Sequence, residues 1–97
     1  MSVVIDSDAT ASIITKQLMK KLGYEIDRSS KLVIVTVNGN KTRALGKLLD
    51  LPLEIKNQQF LHNFQVIDST DNILILGNDW LTKVKANLNW KDKTLTL

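Results

Sequence analysis

The stretch VVIDSDAT, Val3 to Thr10, sets Asp6 and Asp8 one residue apart directly behind an apolar run. Carboxylates so placed are open to three readings. One of them can take a proton from water as a general base. The pair can coordinate a hard cation through oxygen. An Asp-Ser-Asp turn can also simply cap its own backbone N–H groups. The cation reading lacks an Asp/Asn-rich loop of about 12 residues ending in Glu, so neither a metal nor any other cofactor is expected. The tetrapeptide VIDS recurs at 66–69, which raises a single-chain pairing of Asp6 with Asp68. The second copy continues as TDN into an apolar run, and loop chemistry accounts for it. His62 lies in an alternating segment with no Ser or Cys nucleophile constellation near it. It reads as structural, as does Asp79 at the head of a second helix.

Composition narrows the function classes. Ninety-seven residues make one domain, 1–97, with a small single core and no room for two lobes. An active site built from two symmetric halves therefore needs two chains. Cysteine is absent, so no disulfide framework or thiolate zinc site exists. The formal charge is +3, but the lysines are spread from Lys16 to Lys93 without forming a block. With few aromatics and none alternating with lysine, a nucleic-acid partner is disfavoured. Apolar runs fall far short of the roughly 20 residues of a membrane span, and no signal peptide is evident. The expectation is a domain without membrane association, in an intracellular, cytoplasmic setting. With four residues between Met1 and the first carboxylate, it reads as a fragment of a longer polyprotein.

The elements that must position Asp6 and Asp8 are mostly strands. Ser2 to Ile5 is short and β-branched, as in a buried strand. Thr15 suits an N-cap, Leu18, Met19 and Leu22 share a helical face, and Gly23 suits the left-handed position that ends a helix. KLVIVTV (31–37), NGN and KTRALGKLLDLPLEI (41–55) predict a projecting β-hairpin, because Asn38-Gly39 accepts the positive φ of a type I′ turn. Gly46 marks a bulge or a close backbone approach, and Pro52 an edge strand. Leu49, Leu51, Leu53 and Ile55 alternate with polar residues and Pro52. ILIL (73–76) suits a strand covered on both faces. A second short helix follows with Trp80, Leu81 and Val84 inward, and 86–97 reads as a closing hairpin carrying Trp90. Both tryptophans are core anchors on this reading. The expected fold is all-β: a small closed barrel with one or two short helices.

Two motifs, IDSDAT and ILILGNDWL, lie roughly 70 residues apart with the hairpin between them. Together they resemble the retropepsin-like aspartic proteases, most closely those in the polyproteins of gypsy-class long-terminal-repeat retrotransposons, over essentially the whole chain. The resemblance implies a homodimer in which each chain supplies one aspartate, matched here by Asp6, to a water-activating dyad. Ser7 matches the hydroxyl residue that braces the two active-site loops, and Asp8, Ala9 and Thr10 complete the loop. Val37, Asn38, Gly39 and Asn40 match a flap that closes over an extended peptide, and Ile73 and Ile75 fall where side-chain pockets are lined. The implied activity is endopeptidase cleavage of the chain's own polyprotein under mildly acidic conditions. Like carboxylates that close share one proton, one acting as base and the other polarising the scissile carbonyl.

Asp8 departs from that pattern, which has glycine. Its Cβ is expected to strain the loop, and in a dimer it places further charge beside the dyad. Two unit charges 4 Å apart repel by about 4 kcal/mol at an effective dielectric of 20. The alternative reading is therefore a catalytically inactive binding or dimerisation module that keeps the fold.

Overall fold

The structure is a computed structural model that describes residues 2–35, 39–55 and 57–85. Among the described residues seven strands and two short helices follow one another as β1 (Ser2–Ile5), β2 (Ile13–Thr15), α1 (Lys16–Lys21), β3 (Val33–Val35), β4 (Lys41–Arg43), β5 (Gly46–Ile55), β6 (Gln58–Ile67), β7 (Ile73–Leu76) and α2 (Asn78–Lys85). Five strands form one mixed sheet in the order β1-β7-β2-β6-β5, and β3 pairs with β4 as a separate antiparallel hairpin.

Period-two alternation divides the sheet into two faces. Register places Ile14, Leu74 and Val66 in one row, and Val4, Ile75, Ile13 and Gln65 in the next, pointing the other way. The first face is the core. There Ile14, Leu74, Leu76, Val66 and Phe64 meet Leu48, Leu51 and Leu53 of β5, Leu18 and Met19 of α1, and Trp80 and Val84 of α2. The second face is only partly covered.

The helices end as their residues require. The Thr15 side chain accepts from the Leu18 N–H at the start of α1, and Gly23 stands at φ +87 just past its end. Leu22, expected on the buried face, is the C-cap residue and is exposed. Gly46 marks a close approach: a Cβ there would lie 2.4 Å from Ile26 Cγ2 and 2.7 Å from the Arg28 carbonyl oxygen. The bulge falls instead between Leu48 and Leu51, where Asp50 takes φ +55. It shifts the alternation, so that Leu48, Leu51 and Leu53 are buried and Leu49 is not. The Leu49 N–H donates to Asp27 Oδ2 and the Asp50 N–H to Asn63 Oδ1, which satisfies the bulged backbone.

Two expectations are corrected, and a third lies outside the described residues. The five strands form an open sheet with β1 at one edge and β5, which carries Pro52, at the other, so no closed barrel exists among the described residues. Closure needs those two edges to pair, and β1 pairs with β7 and β5 with β6 but not with each other. β1 is not a buried strand: Val3, Val4 and Ile5 are all exposed. The closing hairpin at 86–97, with Trp90, lies outside the described residues, as do Val37 and Asn38 of the expected turn. Among the described residues, no helix is long and apolar enough to cross a membrane.

Candidate active site

β1 runs parallel to β7, so the ends of both strands emerge together, and Asp6 is the first residue past β1. Its N–H donates to the Leu76 carbonyl at 3.0 Å, extending the ladder by one bond. The chain then turns tightly. The Ala9 N–H donates to the Asp6 carbonyl, and the Asp8 N–H donates to Asp6 Oδ1 at 3.0 Å. One carboxylate oxygen of Asp6 is thereby fixed by backbone, as in an Asx turn.

Asp8 causes no backbone strain. Among the described residues the non-glycine positions with positive φ are Asp50 and Asn57, so the expected conflict between the Asp8 Cβ and the loop dihedrals does not arise. Its side chain is exposed, as are Ser7 and Thr10, whereas Asp6 and Ala9 are half-buried.

The far end of the loop is clamped to the start of α2. The Asn78 N–H donates to the Ala9 carbonyl at 2.6 Å, and the Gly77 N–H to Ser12 Oγ at 3.0 Å. Gly77 is required by this approach, since a Cβ would stand 2.6 Å from the Ala11 carbonyl oxygen and 2.7 Å from that of Ala9.

Beneath the loop lies a polar cluster that sequence reasoning missed. Ser12 Oγ donates to Asp79 Oδ1 at 2.8 Å, while His62 Nε2 stands 3.0 Å from Asp79 Oδ2 and 3.1 Å from Ser12 Oγ. The Ser12 N–H also donates to Asp79 Oδ2, and the Trp80 N–H to Asp79 Oδ1. His62 thus does have a serine and an aspartate beside it, drawn from 50 and 17 residues away. The geometry is not that of a nucleophilic triad, in which acid and hydroxyl engage opposite ring nitrogens. Here both meet Nε2, and Ser12 is 1% exposed. The cluster is a brace, which fits the structural role expected of Asp79. The available signal was parity: His62 shares the alternation of Phe64 and Val66 on the core face, and a buried imidazole needs polar partners. Burial pushes the His62 pKa below its ordinary value, outweighing the pull of Asp79, with Lys83 adding a smaller push in the same direction.

Over the partly covered face of the sheet runs a cleft of about 600 Å³. Asp6, Asp8, Ala9 and Thr10 form one end, Ile13, Ile67 and Ile75 the floor, and Leu32 to Val35 the opposite wall. Ile75 borders it, whereas Ile73 is not among its lining residues. Gly39, at φ +81, and Asn40 lie in the loop between β3 and β4. The wall from Leu32 to Val35 has no motif of its own and becomes visible only when the hairpin is placed over the sheet. Asp68 is far from this chemistry. It follows Ile67, whose neighbour Thr15 lies at the end of the sheet where β1 begins, while Asp6 stands where β1 finishes. Single-chain pairing of Asp6 with Asp68 is thereby excluded.

An aspartate at one end of an apolar cleft, on a loop hung between two strand ends, is the arrangement expected of a retropepsin-like domain. Residues 2–97 match the PEG10/RTL1 protease domain, and the chain belongs to that family. It is also similar to DNA damage-inducible protein 1 of Yarrowia lipolytica, 27% identical over 93 residues, covering 96% of this chain and 23% of that protein. The Protein DNA-DAMAGE INDUCIBLE 1 of Arabidopsis thaliana is 24% identical over 97 residues, covering 100% of this chain and 23% of its own length. The chain thus spans under a quarter of the length of these curated relatives.

Proposed function

We propose that this chain is an aspartic endopeptidase that works as a homodimer, one Asp6 from each copy forming the reacting pair. The observation that carries the reading is the placement of Asp6: half-buried, oriented by the Asp8 N–H, at the end of an apolar cleft. A second observation supports the dimer. β1, which delivers Asp6, is an edge strand with Val3, Val4 and Ile5 exposed, a surface suited to burial against a second copy.

In the assembled pair one carboxylate is ionised and takes a proton from a water molecule, and the resulting hydroxide attacks the scissile carbonyl carbon. The other carboxyl gives its proton to the carbonyl oxygen, forming a tetrahedral diol. Collapse of the diol breaks the C–N bond as a proton passes to the leaving amine. The β3–β4 hairpin acts as the flap, offering backbone to an extended peptide as a strand would. The substrate is the polyprotein of a gypsy-class retrotransposon of which this domain is a part, cleaved inside the cell.

One observation favours a second reading, a binding or dimerisation module without activity: Asp8 is exposed and lines the same end of the cleft as Asp6. Cleavage of a mixed peptide library between pH 4 and 7 tests both. Activity in the chain and its absence in Asp6→Asn supports the protease. Activity only after Asp8→Gly assigns the module to this chain and the protease to its scaffold. Silence from both removes the protease reading.

A further inference from the structure

The brace under the active-site loop contains a titratable group that the proposed chemistry does not use. Hydrogen accounting assigns its state. Asp79 is acceptor-only at Oδ2, so His62 Nε2, 3.0 Å away, must carry a hydrogen. The Ser12 hydroxyl already gives its own hydrogen to Asp79 Oδ1 and accepts from the Gly77 N–H, so it can only accept from Nε2 as well. A neutral ring with one hydrogen on Nε2, shared between Asp79 Oδ2 and Ser12 Oγ, is enough for both contacts. No proton is missing.

Through Ser12 the brace leads to the loop that holds Asp6. Ser12 is where that loop enters β2, Gly77 and Asn78 clamp its underside, and Asp79 ties both to α2. His62 reaches this junction from β6, across the sheet. We propose that His62 is a positioning residue for the Asp6 loop, and that a second ring proton, buried on this 7% exposed side chain, is accommodated by opening of the junction it shares with Ser12, which shifts the loop. This rests on the protease reading for its bearing on catalysis, but not for its bearing on structure.

The surroundings set the direction. The charged groups facing the ring come from α2: Asp79, which favours the imidazolium, and Lys83, which opposes it and donates to the Leu61 carbonyl beside His62. Within β6 the nearest ring is Phe64, edge-on at 5.4 Å, β5 opposes His62 with Leu51, and β2 offers neutral Ser12. With His62 only 7% exposed, burial prevails and the folded brace disfavours the added proton. A histidine whose pKa is lower folded than unfolded contributes stability that is complete above the unfolded value of about 6.5 and lost as pH falls through the folded value. The proposed dyad gains from mild acid, whereas its support weakens there. The brace then places an acid limit on the active window.

The test is an NMR titration of the whole chain from pH 7.5 to 4.5, following the His62 ring together with the backbone amides of Ala9, Ser12 and Gly77. The expected result is that all three amides shift with the ring, at one midpoint below about 6.5. In His62→Gln, whose amide can still donate to Asp79 but does not titrate, that common transition is lost. In the cleavage assay kcat of the chain falls at the same midpoint while KM changes little, and His62→Gln keeps its rate to lower pH. A ring that titrates while the loop amides stay still overturns the proposal, as does an unchanged loop transition in His62→Gln. Should that variant not fold, the titration of the unsubstituted chain decides alone. If the chain cleaves nothing while ring and loop titrate together, the protease reading fails and the brace stands.

Discussion

The cleft has two sides that are held very differently. On one, the loop from Asp6 to Ser12 is tied down by the Leu76 carbonyl, the N–H groups of Gly77 and Asn78, and the buried Ser12–His62–Asp79 cluster. On the other, the β3 wall presents Val33 and Val35 at 45% and 61% exposure, and the hairpin is joined to the sheet through the Ser30 hydroxyl, which donates to Gln65, and the Leu45 N–H, which donates to the Val66 carbonyl. Buried apolar contacts and protected hydrogen bonds set local stability. On the proposed reading the side carrying Asp6 is the one held still and the hairpin the one that moves. A hydrolase that must hold a carboxylate still while admitting a long peptide needs this asymmetry.

The asymmetry can be broken from the rigid side first. Asp6→Asn is expected to lower cleavage by about 10²–10⁴-fold or more, while the melting temperature stays close to that of the unsubstituted chain. Trp80→Ala removes the largest fully buried side chain, the one by which α2 enters the core, and is expected to destabilise by about 3–5 kcal/mol, measured by urea unfolding. Gly77→Ala forces a methyl against the carbonyls of Ala9 and Ala11. Overpacking of this kind costs about 1–3 kcal/mol, and the amide signals of the Asp6 loop should move with it. On the hairpin, Val35→Ser should leave stability within about 0.5 kcal/mol and instead raise KM for an extended peptide. A stability loss there as large as that of Gly77→Ala would show that the two sides are equally anchored.

How much of this could be read from residues alone follows the range of the interactions involved. Local signals carried far: Thr15 and Gly23 bound α1, Pro52 sits on an edge strand, and alternating residues sort the β-strands into core and cleft faces. The bulge at Asp50 was hidden because a regular alternation of leucines continues through it, and only the side-chain partners Asp27 and Asn63 disclose it. The open sheet of the described residues is not legible in a strand count, since order and edges are set by long-range pairing. The brace joins residues 50 and 67 positions apart, beyond any local pattern. Its one local trace was a histidine on the core parity of β6. Asp8 teaches the reverse. Its type suggested strain, but its backbone lies outside the left-handed region, and its N–H still serves Asp6.

The central claim is that two copies of Asp6 form one reacting pair. The most direct measurement mixes the chain with Asp6→Asn at constant total concentration, allows subunits to exchange, and follows peptide cleavage. A shared pair predicts a rate that falls as the square of the unsubstituted fraction, to about a quarter in an equal mixture of freely exchanging subunits. A linear fall, to about half, would mean that each chain acts alone, and would contradict the account.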